Sequence, residues 1–205
     1  MQIDVSSFYP SLIINNKLIT NLDDFKKIYD ERLRLKKLKD DRQEVYKILL
    51  NSTYGAMKSK FNKLYHPRMA NSIVVNGQLI LTHLILLLEN FCELIQTNTD
   101  GIIIKYEPVM KESILKLIHI FETHYELTLD IDYIKKIAQR DVNNYVFMKE
   151  DGTILAKGRF ANFQGGDFER NSLTIIDEAL TKHYMFNVNV QQTVINAWRK
   201  GELEK

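Results

Sequence analysis

An α+β fold is what this sequence predicts, with runs of strand and runs of helix kept apart rather than strictly alternating. Two observations carry that expectation. Short β-branched runs at Ile3, Val5, Ile95 to Thr97, Ile102 to Tyr106, Leu127 to Ile134, Asn144 to Lys149 and Thr153 to Arg159 read as strands. Between them stand longer stretches with apolar residues three and four apart, the spacing of one helix face.

The elements follow in order. Asp4 sits between Ile3 and Val5 at a strand end, and Ser7 is expected to cap a short helix reaching about Lys17. Asn21-Leu22-Asp23-Asp24 supplies the next helix start, and Phe25, Ile28, Tyr29, Leu35 and Leu38 mark that helix to Lys39. Asp40-Asp41 interrupts it. A further helix runs from about Arg42 to Phe61 with Val45, Ile48, Leu49 and Leu50 as its apolar residues, so the pair forms an antiparallel hairpin. Pro67 opens a long helix to about Leu94, expected to be largely buried. Asn98-Thr99-Asp100-Gly101 joins two strands with hairpin-turn residues. A helix over Pro108 to Tyr125 and two more, about Ser172 to Phe186 and Val190 to Trp198, complete the chain.

Composition narrows the class. With 205 residues, 45% apolar content and 26% charged, the chain can bury one good core or two small ones and is no disordered tail. A net charge of +2 decides little about partners. One cysteine, Cys92, excludes an internal disulfide framework, and the five histidines show no zinc spacing with it. The apolar run Leu79 to Leu88 is short for a bilayer and holds Thr82 and His83, so a cytoplasmic protein without a membrane partner is expected. The chain begins almost at a strand-end carboxylate and stops soon after a helix, as a piece of something longer would.

Two helix faces suggest anion binding. Arg32 and Lys36 are four apart, as are Lys47 and Asn51 on the next helix, where Tyr54 and Gly55 continue the stripe. With the turn at Asp40-Asp41 and ~1.5 Å of rise per residue, Lys36 and Lys47 sit nearly level and are expected to converge on one anion. Lys26, Lys27, Arg34, Lys37 and Lys39 read as solvated charge.

The stretch Asp4-Val5-Ser6-Ser7-Phe8-Tyr9-Pro10-Ser11-Leu12 closely resembles motif A of the family B DNA polymerases, Asp-x-x-Ser-Leu-Tyr-Pro-Ser-Ile. Lys47-Ile48-Leu49-Leu50-Asn51-Ser52-Thr53-Tyr54-Gly55 matches that family's motif B, Lys-x-x-x-Asn-Ser-x-Tyr-Gly, and Glu31 to Lys37 resembles the first fingers helix. Asn98-Thr99-Asp100-Gly101 is similar to motif C, commonly Asp-Thr-Asp-Ser, with its first aspartate replaced by Asn98. Taken alone this is simply a good hairpin turn; three ordered motifs make more of it. The resemblance runs from Asp4 to about Gly158.

That resemblance implies a polymerase palm with a mostly antiparallel β-sheet backed by helices, a short helical fingers hairpin and the start of a helical thumb. The implied partition is palm over 1–20 and 61–160, fingers over 21–60 and thumb over 161–205. The implied activity is template-directed transfer of a dNTP to a primer 3′-hydroxyl on primer-template DNA, with replication accessory proteins as further partners. Two Mg²⁺ ions, for which Mn²⁺ substitutes, would be held by Asp4, Asp100 and Val5, with Asp4 and Asp100 the catalytic pair and Asn98 offering a neutral oxygen.

Nucleotide contacts are implied for Ser7, Phe8, Tyr9, Arg32, Lys36, Lys47, Asn51 and Tyr54, with Tyr9 packed under the deoxyribose so that a 2′-hydroxyl has no room. DNA contacts are implied for Gly55, Thr99, Tyr145 and Lys157. Tyr145 matches the family's Lys-x-Tyr step while Asn143 replaces its lysine, and Lys149 and Lys157 are the cations expected to compensate. The short fingers and variant motif C suggest a phage or mobile-element source, hence the host cytoplasm. Two rival readings remain: a nucleic-acid-binding polymerase remnant without turnover, suggested by Asn98 and Asn143, and a helical interaction module, which would leave the motif order unexplained.

Overall fold

The computed structural model describes residues 1–158 and 174–202. The chain clusters into two compact units, Ile3–Asp130 and, separately, Met1–Gln2 with Ile131–Lys205.

The first unit is built on strand β1 (Gln2–Val5), whose start falls to the other unit, and on helices α1 (Phe8–Asn15), α2 (Leu22–Lys37), α3 (Gln43–Lys58) and α4 (Pro67–Leu88). Strands β2 (Glu93–Thr97) and β3 (Gly101–Lys105) follow, then a single 3₁₀ turn at Pro108–Met110, α5 (Lys111–Tyr125) and β4 (Leu129–Asp132), whose last two residues fall to the other unit. The sheet order is β2-β3-β1-β4, so β3 and β1 are central. Central strands covered on both faces should read as unbroken apolar runs, and β3 does: Gly101, Ile102, Ile103 and Ile104 are all buried. The β2–β3 ladder is antiparallel, with a register irregularity between Leu94 and Gln96.

Helix α4 buries Ala70, Ile73, Gly77, Leu81, Leu84 and Leu88, steps of three and four that define one face. Gly77 lets α1 come close: a Cβ there would stand 3.2 Å from Phe8 Cε1 and 3.5 Å from Leu12 Cδ1. The expectation that α4 is largely buried is corrected, since Val75 and Leu79 are exposed by more than half, at 52% and 61%. It ends at Leu88 instead of Leu94, and over its 22 residues it is long and apolar enough, by length and composition, to cross a membrane. The apolar reach therefore exceeds the run Leu79 to Leu88.

The second unit carries a three-stranded antiparallel sheet, β5 (Ile134–Asp141), β6 (Asn144–Lys149) and β7 (Ile154–Lys157). Strand β5 is an element the sequence reading lacked; it had one strand from Leu127 to Ile134 and a gap to Asn144. Its burial never alternates cleanly, which removes the period-2 signal. Asp141 closes the β5–β6 turn by accepting from the Asn143 amide at 2.9 Å and from Asn144 Nδ2, contacts that hold its carboxyl below the usual range. Helices α6 (Thr174–Phe186) and α7 (Val190–Arg199) follow, and Asn189 caps α7 by accepting from the Gln191 amide at 2.8 Å. The expected strand end at Arg159 and helix start at Ser172 lie outside the described residues.

Candidate active site

The site grows from the seam between the two central strands. The Val5 amide donates to the Asp100 carbonyl at 2.7 Å, so the last turn of chain before β3 is stitched to the end of β1. Asp4, in β1, and Asp100, in the turn leading into β3, thereby lie on adjoining stretches of chain. Gly101 makes the approach possible: a Cβ built there would overlap the Asp4 carboxylate oxygen and crowd the Ile3 carbonyl. Asp4 is half-buried, while Asp100 and Thr99 stand exposed on the turn.

The turn itself is closed by the Asn98 amide donating to the Gly101 carbonyl at 2.7 Å. The neutral Asn98 oxygen expected from sequence is present and accepts from Gln96 Nε2 at 2.8 Å, which occupies one of its two lone pairs. Gln96 is buried, and its own Oε1 has no hydrogen-bond partner. Among the described residues no three His, Cys, Asp or Glu side chains group as a metal cage. Two carboxylates with the Val5 carbonyl nearby still suit a magnesium ion that keeps waters and substrate phosphates in its shell, and the glycine cradle leaves the Asp4 carboxylate its space. The donor set fits such an ion.

Ser7 is not a side-chain cap. It stands at the helix start with φ 54°, in the left-handed region, and makes no capping bond. Its hydroxyl instead accepts from Arg32 Nη1, and its carbonyl accepts from Ser11 Oγ at 3.0 Å. Arg32 is buried, and its Nε has no partner. One turn on, Lys36 Nζ donates to Ser6 Oγ at 3.2 Å and pairs with Asp130 at 3.0 Å. Helix α2 thus lays both cations on the turn that follows Asp4.

Helix α3 behaves differently. Lys47 pairs with Glu44 of its own helix at 3.1 Å, whereas Lys36 pairs with Asp130. Of the four apolar residues assigned to packing only Leu50 is buried; Val45, Ile48 and Leu49 are exposed. Asn51 is exposed as well, and Gly55 faces open space.

Tyr54 turns towards α1, where its ring lies 4.8 Å from that of Tyr9, and Lys58 Nζ sits 4.5 Å from the Tyr54 ring centre. Burial, then the neighbouring Tyr54, push the Tyr9 phenol up; Lys58 opposes this and Asp100 adds to it. Phe8 is buried against Gly77, so any contact it makes with a nucleotide is through its backbone.

Tyr145 and Lys157 belong to the other unit. They are register partners across β6 and β7; Tyr145 is buried and stacks on Phe147 at 5.8 Å, while Lys157 is exposed. Gly158, at φ +66°, closes against the Asn143 carbonyl, where a Cβ has no space.

Comparison with known proteins gives a consistent answer. Residues 23–120 match the family model described as DNA polymerase family B. DNA polymerase 1 of Saccharolobus solfataricus is 25% identical over 170 residues, 80% of this chain and 18% of that protein. DNA polymerase 1 of Sulfurisphaera ohwakuensis is 24% identical over 155 residues, 68% of this chain and 17% of that protein. Across the archaeal relatives the chain spans only 16% to 18% of their length. The fold is similar to part of the family B DNA polymerase from Pyrobaculum calidifontis, with a TM-score of 0.62 at 15% identity, covering 97% of this chain and 31% of that one.

Proposed function

We propose that this chain, whose residues 23–120 match the family model of DNA polymerase family B, forms the nucleotidyl-transfer core of a DNA-directed DNA polymerase. The supporting observation is that the Val5 amide ties the turn carrying Asp100 to the end of the strand carrying Asp4, with Gly101 leaving room for the Asp4 carboxylate. In this reading residues 1–20 and 61–160 are the palm, 21–60 with α2 and α3 the short fingers, and 161–205 with α6 and α7 the beginning of a thumb.

Divalent cations, when bound, lower the pKa of the primer hydroxyl and neutralise the leaving pyrophosphate. The residues of this chain do the holding and orienting. Asp4 and Asp100 supply hard oxygen ligands. Arg32, Lys36 and Lys47 take the triphosphate, the last two by exchanging Asp130 and Glu44 for phosphate oxygens. Tyr9, held against Tyr54, packs under the sugar and leaves a 2′-hydroxyl without room. Asn51 and Gly55 flank the nascent pair, and Tyr145 and Lys157 are proposed contacts of the primer strand. Substrates are primer-template DNA and dNTPs, in the cytoplasm.

Primer extension by the full polypeptide with Mg²⁺ and dNTPs tests this. Asp4→Asn and Asp100→Asn are each expected to slow incorporation by more than about a hundredfold, the scale of losing one electrostatic group at a reacting centre. Unchanged extension by Asp100→Asn overturns the carboxylate assignment. One observation favours a second reading, a DNA-binding remnant without turnover: Asn98 stands where the third carboxylate is usual, and its oxygen is engaged by Gln96. A protein that binds primer-template but never extends it would establish that reading.

A further inference from the structure

Between Glu44 and Glu89 the sequence holds no acidic residue, yet it holds Lys47, Lys58, Lys60, Lys63 and Arg68. Most of these cations cluster in the connection between α3 and α4, where every residue from Lys58 to Arg68 is exposed. The connection is a built loop. The His66 amide donates to the carbonyl of buried Met57 at 2.9 Å, tying its ends together, and the Asn62 and Tyr65 amides close successive turns on the Ser59 and Asn62 carbonyls at 2.9 and 3.0 Å. Met69 N donates to His66 Nδ1 at 3.2 Å and starts α4.

Two ammonium–ring contacts and one further exposed ring lie along it. Phe61 is 90% exposed, with Lys60 Nζ 5.3 Å from its ring centre; Tyr65 is 47% exposed; and Lys58 rests on Tyr54, which rests on Tyr9. Among the described residues Lys58, Lys60 and Lys63 make no ion pair, unlike Lys36 and Lys47. An ammonium on a ring face with no ion-pair partner among the described residues, found at both Lys58 and Lys60, is the arrangement that binds a polyanion whose flat groups stack.

We propose that residues 58–68 form a binding strip for a single unpaired nucleic-acid strand, with Phe61 and Tyr65 stacking bases and Lys58, Lys60 and Lys63 meeting phosphates. The strip leads to the Tyr54–Tyr9 pair, so it rests on the polymerase reading and assigns the surface that receives the unpaired template. The electrostatic influence of Lys58 on the Tyr9 phenol, alongside that of Asp100, shows the strip and the carboxylate seam sharing one neighbourhood. An acidic protein partner would meet the lysines but has no use for an almost fully exposed Phe61.

The test is fluorescence anisotropy of the 205-residue chain with labelled oligo-dT and with an abasic strand of equal length and charge. Oligo-dT is expected to bind more tightly than the abasic strand. Phe61→Ala should weaken oligo-dT about tenfold and erase that preference, with Phe61→Trp restoring it. Combined Lys60→Gln and Lys63→Gln should lower the slope of log affinity against log salt by about 1.4. All three positions are exposed, and unchanged circular dichroism and urea midpoints exclude misfolding. Equal affinity for both strands, unchanged affinity in the variants, or equal displacement by poly-glutamate overturns the proposal. Asp100→Asn separates the two readings, because it should leave strand binding intact while ending extension. Strand binding that depends on Phe61 in a protein that never extends primers would sink the polymerase reading alone. Extension with strip variants that bind as before would sink the strip alone.

Discussion

Helices α2 and α3 have the same length, 16 residues each, and lie side by side in one hairpin, yet they are held in opposite ways. Helix α2 buries Phe25, Arg32 and Leu35, and its cations are tethered to Ser6, Ser7 and Asp130. Helix α3 buries only Leu50 and Met57 and leaves Val45, Ile48 and Leu49 in solvent. One helix is fixed to the floor of the site by both apolar and polar contacts. The other is fixed at its C-terminal half, and its first two turns carry Lys47 outward. Arg32 and Lys36 of α2 are therefore held by groups distant in sequence, whereas Lys47 is held only within its own helix.

The largest test of that contrast is packing. Leu35, 1% exposed, should cost about 3 kcal/mol when cut to alanine, whereas Ile48→Ala, at 68% exposure, should stay within about 0.5 kcal/mol in urea unfolding. Equal losses would mean α3 is packed as firmly as α2. Next comes the tethering. Arg32→Ala removes a buried guanidinium bonded to Ser7 and should cost about 2 kcal/mol, while Lys47→Ala, whose pair with Glu44 is on the surface, should change the midpoint hardly at all.

The smallest effect concerns the turn joining the helices. Asp40 accepts from the Arg42 guanidinium and amide, which hold its carboxyl down at about 2 from an ordinary 3.8. Because the folded value is the lower one, the contribution is present above about pH 4 and is lost as pH falls through about 2. Asp40→Asn should therefore be slightly less stable than the parent at pH 6, and the gap should close at pH 2. A gap that persists at pH 2 would assign Asp40 a role other than charge.

Much of this architecture was legible from local chemistry. Asn98-Thr99-Asp100-Gly101 carries turn residues and is the β2–β3 turn, and Pro67 opens α4 as its missing amide permits. What stayed hidden depends on partners distant in sequence or on absent periodicity. Ser7 reads as a cap because nothing nearby reveals that Arg32, 25 residues on, takes its hydroxyl. Lys36 meets Asp130 across 94 residues. Strand β5 mixes Lys135, Lys136 and Arg140 with Ile134 and Ile137 on a half-buried sheet, so its residues show no alternation to read. The exposed face of α3 resembles a packing face in sequence, because three-and-four spacing reports amphipathicity without saying what covers it.

The glycine beneath Asp4 has a practical consequence for anyone rebuilding this turn toward the commoner family sequence. The two departures from that sequence are not equivalent. Position 98 projects a side chain to which Gln96 donates, a role a carboxylate can also fill. Position 101 accepts nothing larger than hydrogen while Asp4 keeps its place. A library randomised at both and selected for nucleotide incorporation would return several polar residues at 98 and glycine alone at 101.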